Sequence, residues 1–145
     1  VLVALVPVLG YKIMLDLDLI ILDMRFPILL ILGAFVTNLT REIIKDIQDM
    51  EGDQIRHVKS IAIVSGKKIA RRWAIATQFH ILPLTVASYF LIKTNETSFS
   101  EITYYTSIGF GILALLFILI GIRESWVSML LKASMIIGTL TFYTL

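Results

Sequence analysis

The sequence predicts an all-α protein that crosses a membrane several times, and three observations lead to this prediction. Hydrophobic residues make up 57% of the 145 residues and charged residues only 17%, with a mean hydropathy of +0.86. Soluble domains are nearer to half apolar and a quarter charged. The apolar residues lie in long blocks, as membrane helices require. The polar-apolar alternation typical of strands is absent from these blocks.

Five apolar blocks are predicted to be membrane helices. Residues 1–14 form a partial span that is too short to cross a bilayer alone. Complete spans are expected at about residues 26–45, 73–92, 104–122 and 126–145. Because the chain starts without Met inside an apolar run, we expect residues 1–145 to be one membrane domain and the C-terminal portion of a larger protein.

The distribution of basic residues predicts the orientation in the membrane. Residues 41–72 contain eight Lys and Arg residues, whereas residues 93–103 contain only Lys93. Since loops rich in Lys and Arg stay in the cytoplasm, the loop at 41–72 is predicted to be cytoplasmic. Trp73 and Trp126 stand at the predicted membrane interfaces, where Trp is enriched. We therefore expect a multi-pass protein of the cell (inner) membrane.

An acidic motif stands where the span at 26–45 ends. The string REIIKDIQDMEGD, residues 41–53, contains Asp46, Asp49 and Asp53, with Glu42 before them. On a continuous helix, at about 100° per residue, these four carboxylates would lie within an arc of about 60°. Like charges three or four positions apart repel each other. A hard divalent cation such as Mg²⁺, held together with substrate phosphates, would offset this repulsion, so the motif predicts a metal-diphosphate site.

The motif also carries a family resemblance. The string NLTREIIKDIQDMEGD, followed by a basic loop and SGKK, resembles the second aspartate-rich motif of the UbiA superfamily of intramembrane prenyltransferases. Within that superfamily it is most similar to the geranylgeranylglycerol-phosphate geranylgeranyltransferase, or digeranylgeranylglyceryl phosphate synthase-like, branch. The resemblance is specific over about sixteen residues, 38–53. The flanking helices match the family only in hydropathy.

The resemblance implies a fold and a reaction. The family fold has nine transmembrane helices around a central cavity, of which this chain would supply about five. The reaction would be Mg²⁺-dependent transfer of a prenyl group from an allylic diphosphate, such as geranylgeranyl diphosphate, to a lipophilic acceptor. That acceptor would be geranylgeranylglyceryl phosphate or an aromatic quinone precursor. No separate catalytic nucleophile is expected.

The resemblance also assigns roles to individual residues. Asp46, Asp49 and Asp53 would hold the metal, and Glu42 would be accessory to them. The cations expected to pair with phosphate oxygens are Arg41, Lys45, Arg56 and Lys59.

Two features depart from the family pattern. Family members commonly carry Gly four residues after the last motif aspartate, where this chain has His57. The first aspartate-rich motif of the family, NDxxDxxxD, is absent from the sequence. Since half of the expected metal site is missing, we expect the chain to require the N-terminal half of the same protein and to be inactive alone.

A second class of function stays open on the sequence alone. Carboxylates at a membrane edge are also found in non-catalytic ion-binding proteins and in transporters. Nucleic acid binding is not expected, because the basic run at residues 67–72 lies between the acidic motif and a predicted span. Membrane topology and the attraction of anionic lipid explain that run better.

Overall fold

The computed structural model describes residues 25–92 and 99–143, and every regular element in these ranges is a helix. The seven helices are α1 (Arg25–Gln48), α2 (Met50–Ile55), α3 (Ile61–Ser65), α4 (Lys67–Phe79), α5 (Ile81–Ile92), α6 (Phe99–Ile120) and α7 (Glu124–Tyr143). The all-α prediction is confirmed for this part of the chain. The predicted partial span at residues 1–14 lies outside the described residues.

Four long segments form a bundle: α1, the consecutive helices α4 and α5, α6, and α7. Helix α1 packs against α4, α5 and α7, and α6 packs along α7 in the most extensive contact of the described fold. The short helices α2 and α3 lie between α1 and α4 in sequence; α2 contains the end of the acidic motif, and α3 follows it. This arrangement places the end of α1, the start of α4, the end of α6 and the start of α7 together.

The buried core lies at the end of the bundle that carries the motif. Its side chains come from the last turns of α1, from α3, from the first half of α4, from the second half of α6 and from the first half of α7. The core residues are Ile43, Ile44, Ile47, Ala62, Ala70, Ala74, Ala114, Ile118, Val127, Leu130 and Leu131. The three isoleucines share one face of α1, and the burial of this face anchors the motif helix on the core.

Only one described helix meets the length and composition of a membrane span. Residues Glu101–Ile120 of α6 are long and apolar enough to cross a bilayer. At about 1.5 Å per residue, these 20 residues extend about 30 Å. Helix α1 contains the predicted span at 26–45, and α7 contains the predicted span at 126–145 as far as Tyr143, but whether they cross a membrane stays a prediction.

The predicted span at residues 73–92 is divided between two helices. Helix α4 ends at Phe79, His80 forms a turn, and α5 starts at Ile81. Pro83, in the first turn of α5, has no backbone N–H to continue the α4 hydrogen-bond ladder. The ring of His80 lies against its own helix, with Nδ1 2.9 Å from the carbonyl oxygen of Ala76. His80 is thus explained by a local backbone contact.

Candidate functional site: the acidic motif at the end of α1

The motif begins inside α1 and continues past its end. Glu42 and Asp46 lie on the last two turns of α1, Asp49 lies between α1 and α2, and Asp53 lies in α2. Ile43, Ile44 and Ile47 of the same stretch are buried in the core. Glu42 and Asp49 are exposed, and Asp46 and Asp53 are half-buried. The sequence folds in this way because its isoleucines and its acids occupy opposite sides of the helix.

The helix bends at Asp49. Asp49 has φ −91° and ψ 2°, in the bridge region between helical and extended backbone. Hydrogen bonds from Asp49 N to Lys45 O and from Asp53 N to Asp49 O, both 2.9 Å, cross this point. The chain therefore bends without unwinding. A helix continuous through Asp53 is therefore interrupted by a bend at Asp49.

The spacing of the acidic side chains bears on the predicted metal site. Among the described residues, no three Asp, Glu, His or Cys side chains lie close enough together to hold a metal ion. The donor chemistry still suits a hard cation, because the predicted ligands offer only carboxylate oxygens. Mg²⁺ commonly takes one or two protein carboxylates and completes its shell with phosphate oxygens and water. The assignment of Asp46, Asp49 and Asp53 to metal stays a prediction.

Asp46 has the most constrained environment of the acidic residues. Burial raises the pKa of its carboxyl, and the nearby charges of Asp53 and Glu42 raise it further. A hydrogen bond from the backbone N–H of Ile61 and the charge of Lys45 oppose this rise in pKa. The N–H lies 3.3 Å from Asp46 Oδ2. Asp46 thus interacts with two other carboxylates and also joins α1 to the start of α3.

Arg41 and Glu42 form a pair at the start of the motif. Arg41 Nη1 lies 2.6 Å from Glu42 Oε1. The Arg41 side chain is 20% exposed, and its Nε is buried without a hydrogen-bond partner. A buried donor without a partner is energetically costly, which distinguishes Arg41 from the exposed cations of the motif. One turn earlier, the buried Asn38 Oδ1 also has no partner.

The other predicted phosphate-binding cations are exposed. Lys45 lies on α1, whereas Arg56 and Lys59 lie in the connection between α2 and α3. None of the three forms an ion pair with another described side chain. No described side chain neutralises them, so they are available to bind an anion.

A Schellman turn ends α2 and positions this connection. His57 N–H donates to Gln54 O at 3.2 Å, and Val58 N–H donates to Asp53 O at 3.0 Å. His57 has φ 57°, in the left-handed region that glycine adopts most easily. This is the position where the resembling family commonly has Gly. The left-handed backbone conformation at this position therefore explains why glycine is common there in the family.

Sequence reasoning missed one ion cluster close to the motif. Glu124 Oε1, in the first turn of α7, lies 2.9 Å from both Lys67 Nζ and Arg71 Nη2 of α4. Burial alone would raise the pKa of Glu124, but the hydrogen bond from Lys67, a backbone hydrogen bond and the charges of Lys67 and Arg71 lower it overall. The only signal in the sequence was an acid at a helix start, which is too common to predict this contact.

The sequence was also compared with known proteins. It is 39% identical over 87 residues to the digeranylgeranylglyceryl phosphate synthase of Thermococcus kodakarensis, which is 60% of this chain and 26% of that protein. The enzyme of the same name from Thermococcus onnurineus is 34% identical over 82 residues, 57% of this chain and 27% of the relative. That of Thermococcus gammatolerans is 28% identical over 115 residues, 75% of this chain and 39% of the relative.

These matches cover only part of each relative. The chain spans roughly a quarter to two fifths of the length of these three curated relatives. No protein-family model matches the chain, and no solved structure matches it significantly. The resemblance identified from the acidic motif is nevertheless confirmed, since this chain is similar in sequence to archaeal digeranylgeranylglyceryl phosphate synthases.

Proposed function

We propose that this chain is part of an intramembrane prenyltransferase that transfers a prenyl group from an allylic prenyl diphosphate to geranylgeranylglyceryl phosphate. The observation that supports this proposal most strongly is the acidic motif at residues 41–53 of a chain similar to archaeal digeranylgeranylglyceryl phosphate synthases. The names of these relatives favour a glyceryl phosphate acceptor over an aromatic quinone precursor.

The chain's own residues would bind and orient the diphosphate. Asp46, Asp49 and Asp53 would hold Mg²⁺ through carboxylate oxygens at the water end of α1. Bound Mg²⁺ would stabilise the negative charge that develops on the leaving diphosphate. The Arg41 side chain lies beside the motif and is partly exposed, so its guanidinium would donate a charge-assisted hydrogen bond to a phosphate oxygen.

The remaining cations would supply a more diffuse attraction. Lys45, Arg56 and Lys59 are exposed, so they would attract the diphosphate mainly through long-range charge, which salt screens. The acceptor hydroxyl would then attack the allylic carbon while the carbon–oxygen bond to the diphosphate breaks. The hydroxyl proton would leave to solvent or to the released diphosphate.

The exposed apolar surface of the helices supports a location in a lipid bilayer. Large apolar side chains are exposed on the outer surface of α5, α6 and α7, among them Phe90, Ile120 and Ile136. Contiguous exposed apolar surface requires a lipid or protein partner. We propose that lipid covers it, with the motif on the cytoplasmic side as the basic residues predict.

The site assignment is tested by neutralising its carboxylates one at a time. In the protein that contains this chain, Asp46→Asn, Asp49→Asn and Asp53→Asn are each expected to abolish prenyl transfer, because loss of a metal ligand beside a diphosphate costs several kcal/mol of leaving-group stabilisation. The measurement is diphosphate release from geranylgeranyl diphosphate with geranylgeranylglyceryl phosphate and Mg²⁺.

Glu51→Gln is the matched control. Glu51 is exposed and lies between Asp49 and Asp53 in sequence, but it lines a polar cavity of about 470 Å³ towards the start of α7. Its substitution should leave turnover intact. Normal turnover in all three aspartate variants would refute the site. Mg²⁺ binding without any turnover, in the protein with its N-terminal half, would favour the ion-binding alternative.

A further inference from the structure

The segment after the acidic motif has an unusual charge distribution. Residues 42–53 contain five acidic residues and one basic residue. Residues 54–73, which we term the basic platform, contain six Lys and Arg residues and no Asp or Glu. Lys67 and Arg71 are paired with Glu124. The other four basic residues of the platform are exposed and form no ion pair with a described side chain: Arg56, Lys59, Lys68 and Arg72.

Large apolar side chains are exposed between these cations. Ile55 is 81% exposed, Val64 75% and Trp73 57%, and the side chains of Val58, Ile61 and Ile69 are also exposed. The platform lies outside the apolar blocks predicted to cross the membrane, apart from Trp73 at its edge. A loop in water would not be expected to expose so many large apolar groups together.

The apolar groups cannot turn inwards, because the inner side of the platform is already filled. Ala62 of α3 and Ala70 and Ala74 of α4 are fully buried against the core. On α4, Ile69 and Trp73 are four residues apart and share the exposed face with Arg72. The platform therefore presents a fixed surface on which apolar and basic side chains alternate.

We propose that the basic platform docks on the headgroup layer of an anionic bilayer, with Ile55, Val64 and Trp73 inserted at its edge. Apolar side chains interleaved with Lys and Arg are the pattern of helices that lie in a membrane interface. Free basic residues near an anionic surface add attraction that decays within a Debye length. This inference rests on the proposed membrane location and adds to it a dependence on lipid charge.

A protein surface fits these observations less well than an anionic bilayer. The platform contains no acidic residue, and four of its basic residues form no ion pair with a described side chain, so a protein partner would have to be acidic across the whole area. The acidic motif itself would be repelled by anionic lipid. Because Asp46 accepts a hydrogen bond from Ile61 N, the docked platform would hold this motif at the membrane surface against that repulsion.

Spin labels on single cysteines can locate the platform. The chain has no native cysteine, so Ile55→Cys, Val64→Cys and a reference variant, Leu113→Cys on the outer face of α6, need no further substitution. The complete chain is placed in bilayers of phosphatidylcholine alone, or of phosphatidylcholine and phosphatidylglycerol in equal parts. The measurement is the accessibility of each label to oxygen, which dissolves in lipid, and to a water-soluble nickel chelate.

We expect the labels at 55 and 64 to shift from water to lipid exposure when phosphatidylglycerol is added, and to shift back at high salt. The label at 113 should be lipid-exposed in both bilayers. If it is, but the labels at 55 and 64 remain water-exposed or are shielded from both reagents, the docking is wrong and the membrane location stands. A water-exposed label at 113 would overturn the membrane location as well.

Charge removal gives a second test with a matched control. Lys68→Gln combined with Arg72→Gln should abolish the shift at position 64, since it removes two free charges of the platform. Arg123→Gln combined with Lys132→Gln removes the same charge from exposed residues outside the platform and should retain the shift. Equal effects of the two pairs would show that total charge, and not the platform, responds to the lipid, which would refute the proposal.

Discussion

At the scale of single residues, the structure shows that neighbouring motif residues have different surroundings. Asp46 is half-buried and accepts a hydrogen bond from Ile61 N, whereas Asp49 is exposed at the bend. Glu42 is held by Arg41. The sequence identified these side chains as a group, and the fold gives each of them a different degree of burial and different partners.

His57→Gly should stabilise the chain. His57 has a positive φ of 57°, where a side chain strains the backbone and glycine does not. After allowing for the greater freedom of glycine in the unfolded chain, we expect a gain of about 0.5 kcal/mol. Thermal unfolding in detergent, followed by circular dichroism, measures it.

Arg56→Gly is the control for this prediction. Arg56 has φ −87°, so glycine there relieves no strain and should lower the stability. The strain argument fails if both glycine variants lower the unfolding temperature equally.

At the scale of helices, small polar residues allow α6 and α7 to approach closely. Ser107 Oγ donates to Ser134 O at 2.7 Å, and Ser134 Oγ donates to Ser107 O at 2.8 Å. A Cβ added at Gly138 would lie 2.9 Å from Ser107 Oγ, so a larger residue there would displace the Ser107 hydroxyl. This pattern of small residues and hydroxyls is typical of helix pairs in membranes.

Ser107→Ala should weaken this helix pair by about 1 kcal/mol, since one interhelical hydrogen bond is lost and the Ser134 bond to the backbone remains. The free energy of unfolding in detergent provides the measurement. Thr106→Ala is the comparison, because the Thr106 hydroxyl donates to Ile102 O of its own helix. If the two variants lose the same stability, the interhelical bonds contribute nothing specific.

Ion pairs connect helices α4 and α7. Glu124→Gln removes the contacts to Lys67 and Arg71 and should cost about 1 kcal/mol at neutral pH, a small value because Lys67 is 55% exposed. Since the folded state lowers the pKa of Glu124, its contribution is present above the ordinary glutamate pKa. It is lost as pH falls through the lowered value.

The difference in stability between the wild-type chain and Glu124→Gln should therefore disappear in acid. Unfolding temperatures measured at a series of pH values test this sign, and Glu51→Gln, at an exposed acid, serves as the control. A difference that persists unchanged in strong acid would show that the charge of Glu124 is not responsible.

At the scale of the whole molecule, the acidic motif, the basic platform and the buried core occupy one end of the bundle. The buried isoleucines anchor the motif helix on the core, while the carboxylates lie on the side of the helix that faces away from the core. No three metal-binding side chains converge in the part of the chain that the structure describes. We therefore expect the proposed reaction to require metal-binding groups in addition to these residues.

The chain alone is expected to have no prenyltransferase activity. One carboxylate set that does not converge should bind Mg²⁺ and diphosphate weakly, because Mg²⁺ demands near-octahedral geometry. Diphosphate release by the purified chain, with and without the co-expressed N-terminal half of the protein, measures this directly. Turnover by the chain alone would show that the motif at residues 41–53 is sufficient.

The sequence alone determined the helical class, the position of the acidic motif and the similarity to archaeal synthases, because hydropathy blocks and a sixteen-residue string are local properties. Tertiary structure decided the bend at Asp49, the division of the 73–92 block at His80 and the contact of Glu124 with Lys67 and Arg71. These features depend on residues more than 50 positions apart in sequence, such as Arg71 and Glu124 at 53, or on small changes in backbone angles. Hydrophobic periodicity carries no information about contacts between distant residues or about single backbone angles, so these features become visible only in the folded chain.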